Sequence, residues 1–270
     1  MICRAITVGL LLSGAIITLY PFAWMIGTAF QSETQSALTR LWFWPADWHW
    51  ENVAETFRAA PFGRYFYNTM ITSVVVTVSV VLTSLSAGYA FARLQFPGRR
   101  GLFALILVTM MIPFEVALIP NFLLIRALNW YDTFAALIVP WCANAFSIFL
   151  LRQAFLGLPR DYFDAARVDG CGHLRFLARI AAPLVKPMLS TVGLFTFLGS
   201  YNALLWPIIV TQSESMRVVQ YGLTVFWGSA GVQMNLLMCA SAIVTAPTVA
   251  LYFLAQRHFV DSALNAGIKG

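Results

Sequence analysis

No charged side chain occurs between Arg4 and Glu33, and the apolar run of residues 6–30 inside that interval constrains this chain more than any other feature. A helix needs about 20 residues to cross a hydrocarbon core of about 30 Å. A backbone placed there must also satisfy its own hydrogen bonds. A secretory signal peptide is the competing reading, but its apolar core is about 7–15 residues and ends at a small-x-small cleavage site. Neither property fits this run. Five further runs follow at residues 68–91, 102–125, 133–151, 184–212 and 234–255. Together they predict an all-α membrane protein with six transmembrane helices in one domain, residues 1–270. Helix is expected even where β-branched residues cluster, as at Val74-Val75-Val76. Only 10% of residues are charged and the mean hydropathy is +0.75, whereas soluble domains carry about 25% charged residues.

The net charge of +6 would suit a nucleic-acid partner, but its distribution fits membrane topology better. With the amino terminus in the cytoplasm and six alternating spans, Arg4, Arg93, Arg99, Arg100, Arg152, Arg160, Arg167, Arg175, Arg179, Lys186, Arg257 and Lys269 fall inside. Arg40, Arg58, Arg64, Arg126 and Arg217 fall outside. The excess of basic residues selects this orientation, with both termini cytoplasmic. Cys3, Cys142, Cys171 and Cys239 are widely spaced, as are His49, His173 and His258, so no metal site is assigned. No GxxxxGK[ST] phosphate loop occurs.

One polar segment, Asp161 to Pro187, interrupts the apolar blocks. After Pro159, which suits a helix start, residues Tyr162, Ala165, Ala166 and Asp169 share a face at helical spacing. The small alanines would let a partner approach that face closely. Gly170, with Gly172, permits the turn that ends this helix. A second short helix is expected from His173 to Ile180, with Leu174, Leu177, Ala178 and Ala181 on one face. An amphipathic helix lying on the membrane is the alternative.

This segment resembles the E-A-A-x3-G-x9-I-x-L-P loop of bacterial ABC importer permeases. Asp164-Ala165-Ala166 stands at the E-A-A position, with Gly170, Ile180 and Pro183 following. The departures are Asp164 in place of Glu and Ala182 in place of Leu. Other runs are similar to the same family. They are Phe96-Pro97-Gly98 with its basic neighbours, Ile112-Pro113-Phe114-Glu115, Phe149 to Pro159, and Phe197 to Pro207. In the last run Tyr201 replaces a usual Trp and Ala203 a usual Asp.

The resemblance implies a type I ABC importer permease fold with a cytoplasmic coupling loop at residues 157–183. Asp164, Ala165, Ala166, Asp169, Gly170, Ile180 and Pro183 would be the residues that meet the ATPase. It implies a non-catalytic permease subunit of the maltose and glycerol-phosphate branch, carrying a sugar or sugar-like solute across the inner membrane. It also implies a second permease, two ATPase subunits that bind ATP and Mg, and an extracytoplasmic solute-binding protein. The chain itself is expected to hold no cofactor.

Three residues are candidates for the translocation pathway. Glu115 lies inside a predicted span, and an acid there faces a bundle interior or a wet cavity. The alternative is a kink at Pro113 where Glu115 bonds the freed backbone near the outer interface. Asn202, beside Tyr201, faces either the pathway or a neighbouring helix. The Trp42–Trp50 cluster reads as an interfacial belt, or as a stacking surface for a sugar or a delivering protein. A secondary transporter using Glu115 as a proton site is the rival function, and a membrane scaffold is a more distant one.

Overall fold

A computed structural model describes residues 2–37, 44–228 and 231–267, with side chains throughout except at residues 2, 3, 5 and 254–267. Arg40, Trp42 and Phe43, the side chains of Cys3, Arg257 and His258, and residues 268–270 lie outside the described residues. Four helical stretches are long and apolar enough to cross a membrane, or up to six if each of two bent pairs is one span. The chain forms two compact units, residues 1–65 with 218–251, and residues 66–217 with 252–270. Helices α4 (Phe62–Arg93) and α15 (Met234–Gly267) have residues in both.

In the first unit, α1 (Ile2–Ala29) buries none of its apolar window, as suits a helix whose surroundings are lipid or another chain. Two short helices, α2 (Glu33–Ala37) and α3 (Glu51–Ala59), follow it. Buried Asn52 fastens α3 to the end of α1, its Nδ2 donating to the carbonyls of Ala29 and Gln31 at 2.9 Å each. Phe30, Trp44, Trp48 and Trp50 make ring contacts at 4.6–5.8 Å. The three indoles remain 41–65% exposed. The described part of the predicted tryptophan cluster is therefore one aromatic knot at the end of α1. Further along, α14 (Val219–Gly222) leads through a tight helical turn at Leu223–Phe226 into a small hairpin of β1 (Trp227–Gly228) and β2 (Gly231–Val232). Phe62 stacks on Phe226 at 6.3 Å. A Cβ at Gly222 would stand 2.6 Å from the Phe62 ring, so only glycine admits this packing.

The second unit holds the rest of α4 and the helices α5 (Arg99–Thr109), α6 (Phe114–Ala127), α7 (Phe134–Ile138) and α8 (Ala145–Leu156). After α8 come α9 (Asp161–Val168) and α10 (His173–Phe176). A wider turn at Leu177–Ala181 joins α10 to α11 (Ala182–Leu184), and α12 (Lys186–Tyr201) and α13 (Leu205–Val210) follow. Pro97-Gly98 separates α4 from α5. Gly98 takes φ +78° to start α5, and the Arg99 side chain donates to the Leu94 carbonyl at 2.8 Å.

Three predicted spans are not continuous rods. The expected helix 102–125 is broken between Thr109 and Phe114, and α5 and α6 meet at 100°. Pro113 supplies the cause, since it has no N–H to continue the ladder and excludes the residue before it from helix. The 133–151 span is interrupted between α7 and α8 by a turn at Val139–Trp141. The 184–212 span starts after an 83° bend and breaks again at residues 202–204. Irregular backbone at membrane depth survives only where protein or a wet cavity receives it. Phe114, Trp141 and Trp206 meet pairwise at 5.3–6.2 Å and bring the three mid-span breaks together. Trp206 donates its indole N–H to the Ala136 carbonyl at 2.9 Å, and Thr83 of α4 donates to the freed carbonyl of Cys142 at 3.0 Å.

Away from these breaks, the core gathers Val76, Val80, Tyr89 and Ala92 of α4, Leu151 and Phe155 of α8, and residues of α9 to α12. Gly88 allows the close crossing of α4 on α8, because a Cβ there would lie 3.0 Å from both the Arg152 nitrogen and the Leu151 Cβ.

Candidate functional site

The segment 157–184 folds as a helix–turn–helix on that core. Helix α9 carries Asp161 and Asp164 in its first turn, where carboxylates favour the helix dipole. Its far end is closed by two bonds. The Gly170 N–H donates to the Arg167 carbonyl at 3.0 Å, and the Cys171 N–H donates to the Ala166 carbonyl at 2.8 Å. This closure requires a left-handed residue just past the helix, and Gly170 supplies it with φ +68°. The second helix then returns across the core.

Its inner face locks it in place. Phe163 and Phe176 approach to 4.5 Å, and Tyr89 makes ring contacts with Phe155, Phe163 and Phe176 at 5.7–6.4 Å. The Tyr89 hydroxyl and the His173 Nδ1 share a hydrogen bond of 2.8 Å. Arg93 donates to the carbonyls of Phe155 and Leu158 at 2.6 Å each, and its guanidinium lies 3.9 Å over the Phe163 ring. Nothing in the local sequence groups Tyr89, Arg93, Phe163 and His173. The only signal was an i, i+4 Tyr–Arg pair at the end of an apolar run.

The structure corrects two assignments on this hairpin. Ala166 does not share an exposed face with Ala165. It is buried in the core, while Ala165, Tyr162, Asp164, Asp169 and Gly170 are exposed. Phe163 and Ala166, three apart, mark the inner stripe, which draws Ala166 inward. In the second helix, Phe176, Leu177 and Ala181 are buried and Ile180 packs against them. Leu174 is 83% exposed and Ala178 is exposed, so the expected Leu174–Ala181 face is split. Aromatic packing through Phe176 fixes the rotation, and the widened turn at residues 177–181 maintains it. Pro183 is exposed.

The pathway candidates sit at the breaks. Glu115 lies in the first turn of α6, exposed, directly after the Pro113 break. The predicted span around Glu115 is therefore not one continuous helix. The carboxylate makes no hydrogen bond to another described residue, so it does not serve the backbone freed by the kink. Tyr201 is buried and stacks on Phe197 at 6.0 Å. Asn202 is exposed at the end of α12, and its Nδ2 donates to the Leu198 carbonyl at 2.9 Å. Among the described residues no cluster of His, Cys, Asp or Glu could hold a metal ion.

At the loop after α6, Asp132 has φ +61° and fastens residues 210–213. Its carboxylate accepts from the backbone of Gln212 at 2.8 Å and of Ser213 at 3.0 Å, while its N–H donates to the Val210 carbonyl at 2.9 Å. Burial works to raise the Asp132 carboxyl, but these bonds and the Arg217 charge outweigh it and hold the group below the usual carboxylate range. Nothing in the sequence marked this staple.

Residues 79–263 match the family described as binding-protein-dependent transport system inner membrane component. The chain belongs to that family. The permease is 33% identical over 265 residues to the sn-glycerol-3-phosphate transport system permease protein UgpE of Yersinia enterocolitica, covering 95% of this chain and 94% of the relative. It is also 33% identical over 207 residues to the arabinooligosaccharides transport system permease protein AraQ of Bacillus subtilis, covering 77% and 74%. Its fold is similar to a chain of a bacterial ABC transporter involved in the import of the acidic polysaccharide alginate. That match has a TM-score of 0.85 at 22% identity, over 96% of each chain. The fold is thus the type I ABC importer permease fold, and the chain is a multi-pass, non-catalytic transport component. The ion-coupled carrier built on Glu115 is not favoured.

Proposed function

We propose that this permease forms half of the translocation pathway for a sugar or sugar-like solute, a class that includes polyol phosphates. In this reading it pairs with a second permease, takes solute from an extracytoplasmic binding protein, and is driven by two ATPase subunits that bind ATP and Mg. Both termini and the 157–184 hairpin face the cytoplasm. The names of the relatives, a glycerol-phosphate permease and an oligosaccharide permease, support the solute class.

The observation that carries the reading is the two-sided hairpin. Its inner face is locked to α4 and α8 by Tyr89, Arg93 and Phe155, so force on the hairpin is passed to those helices as to one body. Its outer face leaves Tyr162, Val168 and Leu174 at 46%, 87% and 83% exposure. Apolar side chains that exposed, beside Asp164, Ala165, Asp169 and Gly170, suit a protein groove. Ala166, Ile180 and Pro183 shape the hairpin from within or at its exit. Glu115, Tyr201 and Asn202 occupy the helix breaks, where a hydrophilic solute can meet polar backbone.

The test is copurification and coupled assay in vesicles holding the full complex. Asp164→Glu should keep ATP-driven uptake, and Asp164→Lys should separate hydrolysis from uptake. Equal uptake by both variants would reduce Asp164 to a solvated helix residue.

A further inference from the structure

A second feature of the hairpin shares Asp164 with its outer face but otherwise lies behind it. Between the end of α4, the end of α8 and the helix–turn–helix is a cavity of about 560 Å³, within the range of small-molecule sites. Arg93, Arg99, Arg160 and Arg167 line it, and Asp164 is its only carboxylate. None of these arginines forms an ion pair among the described residues. The Arg93 Nε is buried without a hydrogen-bond partner. Arg93 is held by the Phe155 and Leu158 carbonyls and Arg99 by that of Leu94, whereas Arg160 and Arg167 are exposed, so an anion seated among them would offset the repulsion of four like-charged guanidinium groups. Their planar forks match phosphate oxygens in particular.

We propose that this cavity binds the phosphate of an anionic phospholipid headgroup. The chemistry recognised is a phosphate whose negative charge is not offset by a headgroup cation, and position selects the lipid as its source. Helix α4 is long and apolar enough to cross a membrane and ends at Arg93, and a span ending there would bring the cavity to headgroup level. Ala92, Leu156 and Leu158 give it an apolar wall suited to the glycerol end of the acyl chains. Basic pockets at the ends of membrane helices take such headgroups. A protein partner is less well matched, because the exposed Tyr162, Val168 and Leu174 are not part of the lining. A lipid seated here would bridge α4, α8 and α9, and would stiffen the hairpin against the helices it has to move.

The test uses the full chain, purified with its associated subunits from bilayers containing equal phosphatidylglycerol and phosphatidylcholine, and counts retained lipid by native mass spectrometry. Wild-type protein should retain phosphatidylglycerol selectively. Arg160→Gln should lower that retention about 5-fold, and Arg160→Gln with Arg167→Gln about 30-fold. The corresponding lysine pair should recover most of it. Arg99→Gln is the check should the double variant fail to assemble, with the same 5-fold loss expected. Unchanged phosphatidylglycerol retention in the glutamine variants would overturn the proposal. So would loss of ATPase subunits at constant lipid retention, which would assign the arginines to a protein partner. Release of the lipid by millimolar inorganic phosphate would transfer the site to free phosphate and overturn the lipid assignment.

Discussion

Replacing Gly170 tests whether the hairpin turn is a backbone device or a surface feature. Gly170 sits at φ +68°, and a Cβ built there meets no atom within 4 Å. Any penalty inside this chain is therefore conformational, not steric. An L-residue in the left-handed region costs about 1–2 kcal/mol, and Asn much less than a β-branched residue. If valine leaves that region, the bonds Gly170 N–H to Arg167 O and Cys171 N–H to Ala166 O open together. Each contributes about 0.5–1.5 kcal/mol net, a loss of the same size. The closed turn should thus be depopulated by a factor of about 5–30 in Gly170→Val. Hydrogen exchange of the Cys171 amide in the assembled protein should accelerate by that factor, slightly in Gly170→Asn and intermediately in Gly170→Ala. Uptake should follow the same order. Exchange in Gly170→Val as slow as in the native chain would refute the argument. Loss of uptake in Gly170→Asn with the Cys171 amide still protected would shift the role of Gly170 to its outer surface.

Three further perturbations address other parts of the molecule. Gly88→Leu should force α4 and α8 apart at Leu151 and lower stability by about 1–3 kcal/mol, with Gly88→Ala between it and the native chain; equal thermal unfolding in detergent would show the crossing to be loose. Asp132→Ala should free residues 210–213 at a cost of about 1 kcal/mol, given the exposure of the site, read as faster exchange of the Gln212 and Ser213 amides. Because the folded Asp132 carboxyl is held low, its stabilisation is complete above the unfolded value of about 3.9 and is lost as pH falls through the folded one. Protection in the native chain should therefore persist to about pH 4 and fail only below it, whereas failure near neutrality would contradict the sign. Glu115→Gln should retain most ATP-driven uptake, since amide and carboxylate have nearly the same shape and Glu115 bonds no described group; abolition of uptake together with sensitivity to a proton uncoupler would restore the ion-coupled alternative.

The membrane class, the helical content and the place of the hairpin could be read from residues alone, because each depends on local chemistry. An uncharged run such as Ile6–Phe30 leaves the backbone no option in lipid but helix. Gly170 announces a left-handed turn wherever it lies in the fold, and Pro97-Gly98 a break. Tertiary contacts decided what periodicity could not. Ala165 and Ala166 are identical side chains, and only the aromatic packing of Phe163 and Phe176 around Tyr89 determines which is buried. Pro113 signals a break but not its angle, which depends on Trp141 and Trp206 receiving Phe114 from other helices. The bond from Asp132 to Gln212 and Ser213, and the convergence of Arg93, Arg99, Arg160 and Arg167 on one cavity, join residues distant along the chain. Such pairs leave no trace in local sequence, because their energies exist only once the helices have packed.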